Sequence, residues 1–146
     1  MSPTRLPNYT PISEWSPVLK VPDVTFINLQ YTDSADDIAK IQDEFGVTVH
    51  NFEDIDQYND IDDVAALCTA LDVVISNKST VPLISAGVGT LTKLPSWRQS
   101  PWNNILHNPV GPLVDISERD TWELWDNVFN LIAEDILKLK NGVLNE

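Results

Sequence analysis

Apolar positions along this chain follow two alternating rhythms. Short runs of β-branched and aromatic residues give way to longer stretches where apolar residues recur every three or four positions. Residues 24–29 (VTFINL) open the series as a strand, after a Pro22-Asp23 turn. Ser34 then caps a helical stretch. Its apolar face carries Ile38, Ile41 and Phe45, its first turn Asp36 and Asp37, and Gly46 ends it. Residues 47–50 (VTVH) predict a second short strand. After an acidic stretch, Asp60 or Asp62 caps a helix with Val64, Leu67, Cys68 and Leu71 on one face. Residues 73–76 (VVIS) predict a buried parallel strand, residues near 80–88 a short helix, and residues 90–94 (TLTKL) another strand. A loop rich in Trp, Asn and Pro spans 95–112, and 114–116 form a last short strand. The final helix has the strongest period, through Trp122, Trp125, Phe129, Ile132, Ile136 and Leu139. Asp120 and Glu123 stand at capping-box spacing before it. Lys138, Lys140 and Gly142 mark its end.

Strands alternating with helices predict an α/β fold. The expectation is a Rossmann-like, mostly parallel sheet with right-handed crossovers and helices on both faces. Residues 1–22 stand apart. Pro3, Pro7, Pro11, Pro17 and Pro22 disfavour regular structure there, apart from one short turn of helix that turns Trp15, Val18 and Leu19 inward. The domain proper is expected over residues 23–142.

The 146 residues amount to one domain, and 42% apolar content is enough to pack a core. A net charge of −13 argues against nonspecific binding to nucleic acid or anionic membrane, since both need a basic face. No apolar stretch approaches the roughly 20 residues of a membrane span, and no basic-then-apolar leader is visible, so a cytoplasmic protein without a membrane span is expected. Cys68 is the only cysteine and falls among apolar helix positions, which reads as a small buried hydrophobe.

Chemistry concentrates at the junction of residues 72–89. A buried strand runs into Ser76-Asn77-Lys78-Ser79-Thr80 and then a helix start at Val81-Pro82. In open α/β sheets ligands bind at such C-terminal strand ends, where backbone N–H groups and the helix dipole favour anions. Asn77, Ser79 and Thr80 offer side-chain hydrogen bonds, and Lys78 can meet a phosphate or point to water. The turn is neither a P-loop nor a G-x-G-x-x-G fingerprint. In the loop beyond, Trp97, Gln99, Ser100, Trp102 and Asn103 suit a sugar or a base, with flat faces for stacking and amides for hydroxyls; equally, the tryptophans can fold back onto the core. Asp54, Asp56, Asp60 and Asp62 can chelate a divalent metal or simply form a solvated, helix-capping loop. His50 and His107 have no evident catalytic partner.

The order and spacing of several stretches resemble the C-terminal, nucleotide-sugar-binding domain of GT-B glycosyltransferases. The likeness is greatest to the heptosyltransferase-like family 9, including versions attached to tetratricopeptide repeats. Residues 26–31 (FINLQY) resemble that family's strand ending in Leu-Gln, and residues 62–67 (DDVAAL) with 70–76 (ALDVVIS) its Asp-x-Ala-Ala-Leu and Ala-Leu-Asp-x-Val-Ile-Ser segment. Ser79-Thr80-Val81 and the small residues to Gly89 match its strand–turn–helix, and residues 97–102 its Ser-Pro-Trp loop. The likeness covers most of residues 20–135. It implies the C-terminal half of a GT-B fold without its first strand, binding a nucleotide diphospho-sugar. Phosphates would lie at Ser79, Thr80 and Val81, base and ribose near Gln30 and Asp62, and the sugar toward Trp97–Trp102, with Ser76, Asn77 and Lys78 completing the donor contacts. It implies no metal and no other cofactor, because helix dipole and side chains stabilise the leaving diphosphate. It also implies a partner: an N-terminal glycosyltransferase half, or a repeat region, on a longer or separate chain, carrying acceptor and catalytic base. Two positions depart from the family, Asn77-Lys78 where the acid of an Asp-Thr or Asp-Ser pair is expected and Pro82-Leu83 in place of a histidine. A degenerate or truncated glycosyltransferase-like domain with a non-catalytic interaction role is the alternative expectation. A metal-using transferase built on residues 54–62 is a third.

Overall fold

The computed structural model describes residues 10–98, 100, 113–120 and 123–142. Its strands are β1 (Phe26–Ile27), β2 (Val49–His50), β3 (Val73–Ile75), β4 (Leu91–Trp97) and β5 (Val114–Arg119). Its helices are α1 (Ser16–Leu19, entered through a 3₁₀ turn at Ile12–Trp15), α2 (Ala35–Phe45), α3 (Ile61–Thr69), α4 (Val81–Gly87) and α5 (Asp126–Lys140). Every strand pair is parallel: β1 with β2, and β3–β4–β5 in that order.

Alternation along β3 sets the layers. Val73 and Ile75 pack against the α5 side, with Val128, Phe129, Ile132 and Ile136 at its centre. Val74 between them turns to Val64 and Cys68 of α3 and Val81 of α4. The chain is thus an α/β domain of parallel strands with helices on both faces, as Rossmann-like folds are built. The single sheet expected from the element order divides into two. β1 is only two residues long, and Asp23 takes a left-handed turn (φ 54°) three residues before it. Phe26 of β1 still packs on the same α5 cluster as Val73 and Ile75.

Two boundaries differ from the sequence reading for identifiable reasons. β4 runs on through Pro95 to Trp97, where a loop was expected. The Ser76 N–H donates to the Lys93 carbonyl (3.1 Å). In a parallel ladder the next rung would need an N–H at Pro95, which proline lacks, so β3 peels away there. Pro95's neighbours Leu94 and Ser96 face β5 with their backbone groups, and that pairing continues to Trp97 opposite Arg119. The proline ends one ladder and spares the other.

The second boundary is the start of α5, at Asp126 rather than at Asp120. Glu123 Oε2 does accept from the Asp120 N–H (3.0 Å), as a capping box would have it. The Arg119 guanidinium, however, donates to the carbonyls of Asp120 (2.9 Å) and Glu123 (2.8 Å), taking groups a helix would use. The α5 start is met instead from far away, by Glu14 Oε2 accepting from the Trp125 N–H (3.0 Å). Trp122 lies outside the described residues. The proline-rich segment therefore joins the domain: Val18 and Val21 are buried in the α5 cluster, with Trp15 against Phe129 at 4.7 Å between ring centroids.

Candidate functional site

The turn from β3 to α4 opens where Pro95 stops the ladder. The Ser76 hydroxyl donates to the Asn77 carbonyl (3.1 Å) and lies 3.4 Å from Ser79 Oγ. Ser79 Oγ accepts from the Val81 N–H (3.2 Å), so the first N–H of α4 is already engaged. The Thr80 carbonyl accepts from Leu83 (3.0 Å) and Ile84 (3.1 Å), which starts the helix. Behind the turn α4 is moored to the sheet by a buried bond from Thr92 Oγ1 to Ser85 Oγ (2.8 Å).

Lys78 sets the electrostatics of this edge. Its Nζ is buried and has no hydrogen-bond partner among the described residues. It stands 5.5 Å from the centre of the Trp97 ring at the end of β4, within cation–π range. Burial lowers the Lys78 pKa to about 8, against a weaker opposing pull from Glu118 on β5. The Asn77 Oδ1 beside it is also buried without a partner. The β3–α4 turn thus carries a desolvated ammonium that lies over Trp97 of β4, an unengaged amide oxygen and two hydroxyls. The ammonium and hydroxyls can bind an anion, which supplies the hydrogen bonds Lys78 lacks, whereas the Asn77 oxygen calls for a donor.

The other expected site residues distribute unevenly. Ser76, Asn77, Lys78, Ser79, Thr80 and Val81 share the turn, and Trp97 reaches it through Lys78. Ser100 is buried, its N–H donating to the Trp97 carbonyl (3.0 Å). Gln99, Trp102 and Asn103 lie outside the described residues. Asp62 is exposed in the first turn of α3, which Asp60 caps by accepting from the Asp63 N–H (3.0 Å). Gln30 lies in another place, a cleft of about 620 Å³ at the C-terminal ends of β1 and β2, lined by no residue of the 76–81 turn. Of the acidic stretch, Asp56 accepts from the N–H groups of Tyr58 (3.1 Å) and Asn59 (3.0 Å) and from the Asn59 side chain (2.9 Å). Among the described residues no three His, Cys, Asp or Glu side chains converge as a metal site.

Comparison with known proteins gives one alignment. The chain is 41% identical over 133 residues to Protein FlbA of Caulobacter vibrioides, covering 88% of this chain and 22% of that protein. It spans about a fifth of the length of the curated relative it matches. No protein-family model matches the chain, and no solved structure does. Among the described residues no helix is long and apolar enough to cross a membrane.

Sequence reasoning missed a second buried lysine. Lys93 of β4 donates to Asp115 Oδ2 on β5 (2.5 Å) and Asp135 Oδ2 on α5 (2.7 Å), its side chain only 4% exposed. Burial opposes its charge, yet the bonds and charges of the two aspartates outweigh that and raise its pKa. The available signal was parity: Lys93 shares its sheet face with the inward residues Val73 and Ile75.

Proposed function

We propose that this chain is the donor-binding domain of a GT-B-like glycosyltransferase and holds a nucleotide diphospho-sugar at the C-terminal ends of β3 and β4. The observation that carries the reading is the buried, unpartnered Lys78 ammonium in the β3–α4 turn. A diphosphate supplies what that cation lacks, and Ser76 and Ser79 of the same turn offer hydroxyls for phosphate oxygens. Trp97 offers a flat face where the sugar would extend. The likeness of residues 62–67 and 70–76 to family 9 supports the same assignment. So does the long relative: a donor domain needs a second domain for acceptor and base, and the matched segment is 22% of that protein.

Calorimetric titration with ADP, UDP, GDP and CDP tests this. At least one is expected to bind, and Lys78→Met is expected to weaken it about tenfold or more, the value of a hydrogen-bonded charge contact. Failure of all four to bind sinks the reading, and binding unchanged in Lys78→Met removes the observation it rests on.

A second reading draws on the turn itself. Val81 N–H is committed to Ser79, and α4 has only seven residues, so little backbone remains to cradle phosphate. A glycosyltransferase-like domain that keeps the fold and acts as a non-catalytic interaction module fits that feature. A stably folded chain without affinity for any nucleotide diphosphate is its signature.

A further inference from the structure

The cleft at the ends of β1 and β2 has a chemistry opposite to the Lys78 edge. Its floor is a fixed network of amides. The Asn28 side chain donates to Ser34 Oγ (3.0 Å) and Asn51 Oδ1 (2.8 Å), and its Oδ1 accepts from the Gln30 N–H (3.0 Å). This one residue ties the end of β1 to the loop after β2. Ser34, expected to cap α2, makes no side-chain cap to it, and the Ala35 N–H is met instead by Asp33 Oδ1 (3.1 Å). Gln57 closes the floor, its Nε2 donating to the Asn28 carbonyl (3.0 Å). That bond fixes the amide's orientation, since the flipped form would set oxygen against oxygen. Gln57 Oε1 is thereby left buried with no hydrogen-bond partner among the described residues. Gln57 is one of the residues lining the cleft, and an orphaned acceptor there is satisfied by a ligand that donates.

The walls narrow the ligand class. Tyr31 and Tyr58 pack at 5.7 Å between ring centroids and remain 53% and 72% exposed. Aromatic surface standing in water beside a polar floor suits the C–H faces of a sugar ring. The lining also includes the carboxylates of Asp33, Glu53, Asp54 and Asp56. The Asn59 side chain, then the Asn59 and Tyr58 N–H groups, hold the Asp56 carboxyl below its ordinary range, so it stays charged. These carboxylates repel phosphate and offer acceptors to hydroxyls. The volume, about 620 Å³, matches a ligand of two or three sugar rings.

We propose that the β1–β2 cleft is a binding site for an uncharged saccharide, held by hydroxyl donation to Gln57 Oε1 and by stacking on Tyr31 and Tyr58. The inference does not depend on the donor reading, because the cleft shares no residue with the Lys78 turn. Saturation-transfer NMR with cellotriose, maltotriose and chitotriose tests it, with spermidine and ADP as competitors. At least one trisaccharide is expected to bind with a millimolar Kd. Tyr58→Ala and Gln57→Leu are each expected to weaken it about tenfold, while Lys78→Met leaves it unchanged. Tyr58 is so exposed that its loss leaves folding intact, which thermal melts will check. The proposal is overturned if no trisaccharide gives a signal, or if the signal survives both cleft variants. Displacement by spermidine would make the cleft a cation site, and displacement by ADP would make it part of the nucleotide site; either result also overturns it.

Discussion

Lys78 and Lys93 both bring an ammonium into the dry surroundings of the β3–β4–β5 sheet, and the sheet treats them in opposite ways. Lys93 lies on the α5 face between two aspartates from different elements, so its charge is part of the packing. Lys78 sits at the strand ends, over an aromatic ring, with its nitrogen unbonded. The same loss of water pushes both pKa values down. At Lys93 the carboxylates reverse the push, and at Lys78 nothing comparable does. A buried cation that the fold has already neutralised holds structure together. One left without a partner at a strand edge is open to an anion from outside.

The sharpest way to break this comparison is stability. Lys93→Met should cost about 2 kcal/mol in urea unfolding, because it removes two charge-assisted hydrogen bonds, leaving Asp135, among the described residues, with Lys138 alone and Asp115 to solvent. Lys78→Met should be neutral or slightly stabilising, since it removes a desolvation penalty and no hydrogen bond. The reverse ranking would mean that the two lysines have been assigned the wrong roles. Next in size is the ligand effect: Lys78→Met should lose about tenfold or more of nucleoside diphosphate affinity, whereas a Lys93 variant that still folds should lose none.

The two lysines also give stability opposite slopes with pH. Lys78 titrates near 8 when folded and near its ordinary, higher value when unfolded. Between about pH 8 and about pH 10 the unfolded chain therefore binds more protons, and stability rises with pH. Lys93 has a raised folded pKa, so its contribution is full below about pH 10 and is lost as pH climbs further. For Asp135 burial favours the neutral acid, but Lys93 and Lys138 outweigh it and lower the folded pKa. Its contribution is present above about pH 4 and is lost on acidification. Urea midpoints measured across that alkaline range should rise in the wild-type chain relative to Lys78→Met. Parallel curves would show that Lys78 does not titrate there.

What could be read from the sequence was what local rules decide. Asp60 capping α3, Gly46 ending α2 in a left-handed turn (φ 68°) and Cys68 as a buried hydrophobe follow from short-range chemistry. Pro95 misled because its effect depends on which neighbour its missing N–H would have faced, a fact of register. Asp120–Glu123 misled because a neighbouring arginine took the carbonyls. The site was legible in the same uneven way. Strand-then-polar-turn located the β3–α4 junction, but nothing local says that the Lys78 nitrogen is buried, nor that Gln57 reaches back 29 positions to Asn28.

Glu118 gives the smallest and most discriminating test. Its carboxylate attracts Lys78 and holds that lysine's pKa up, but not far enough to cancel burial. It is also a negative charge beside an edge proposed to receive phosphate. Replacing it with Gln removes both influences, and they act oppositely on binding. Without the carboxylate, Lys78 is less protonated in the free protein, which weakens anion binding above about pH 8. At neutral pH Lys78 remains mostly charged, and loss of the repulsion dominates, worth about twofold to threefold in affinity at a surface edge. Glu118→Gln should therefore tighten diphosphate binding at about pH 7 and lose that advantage at about pH 9. A variant that binds more weakly at both values would place Glu118 among the groups that hold the ligand and would end the picture of Lys78 as the charge that receives it.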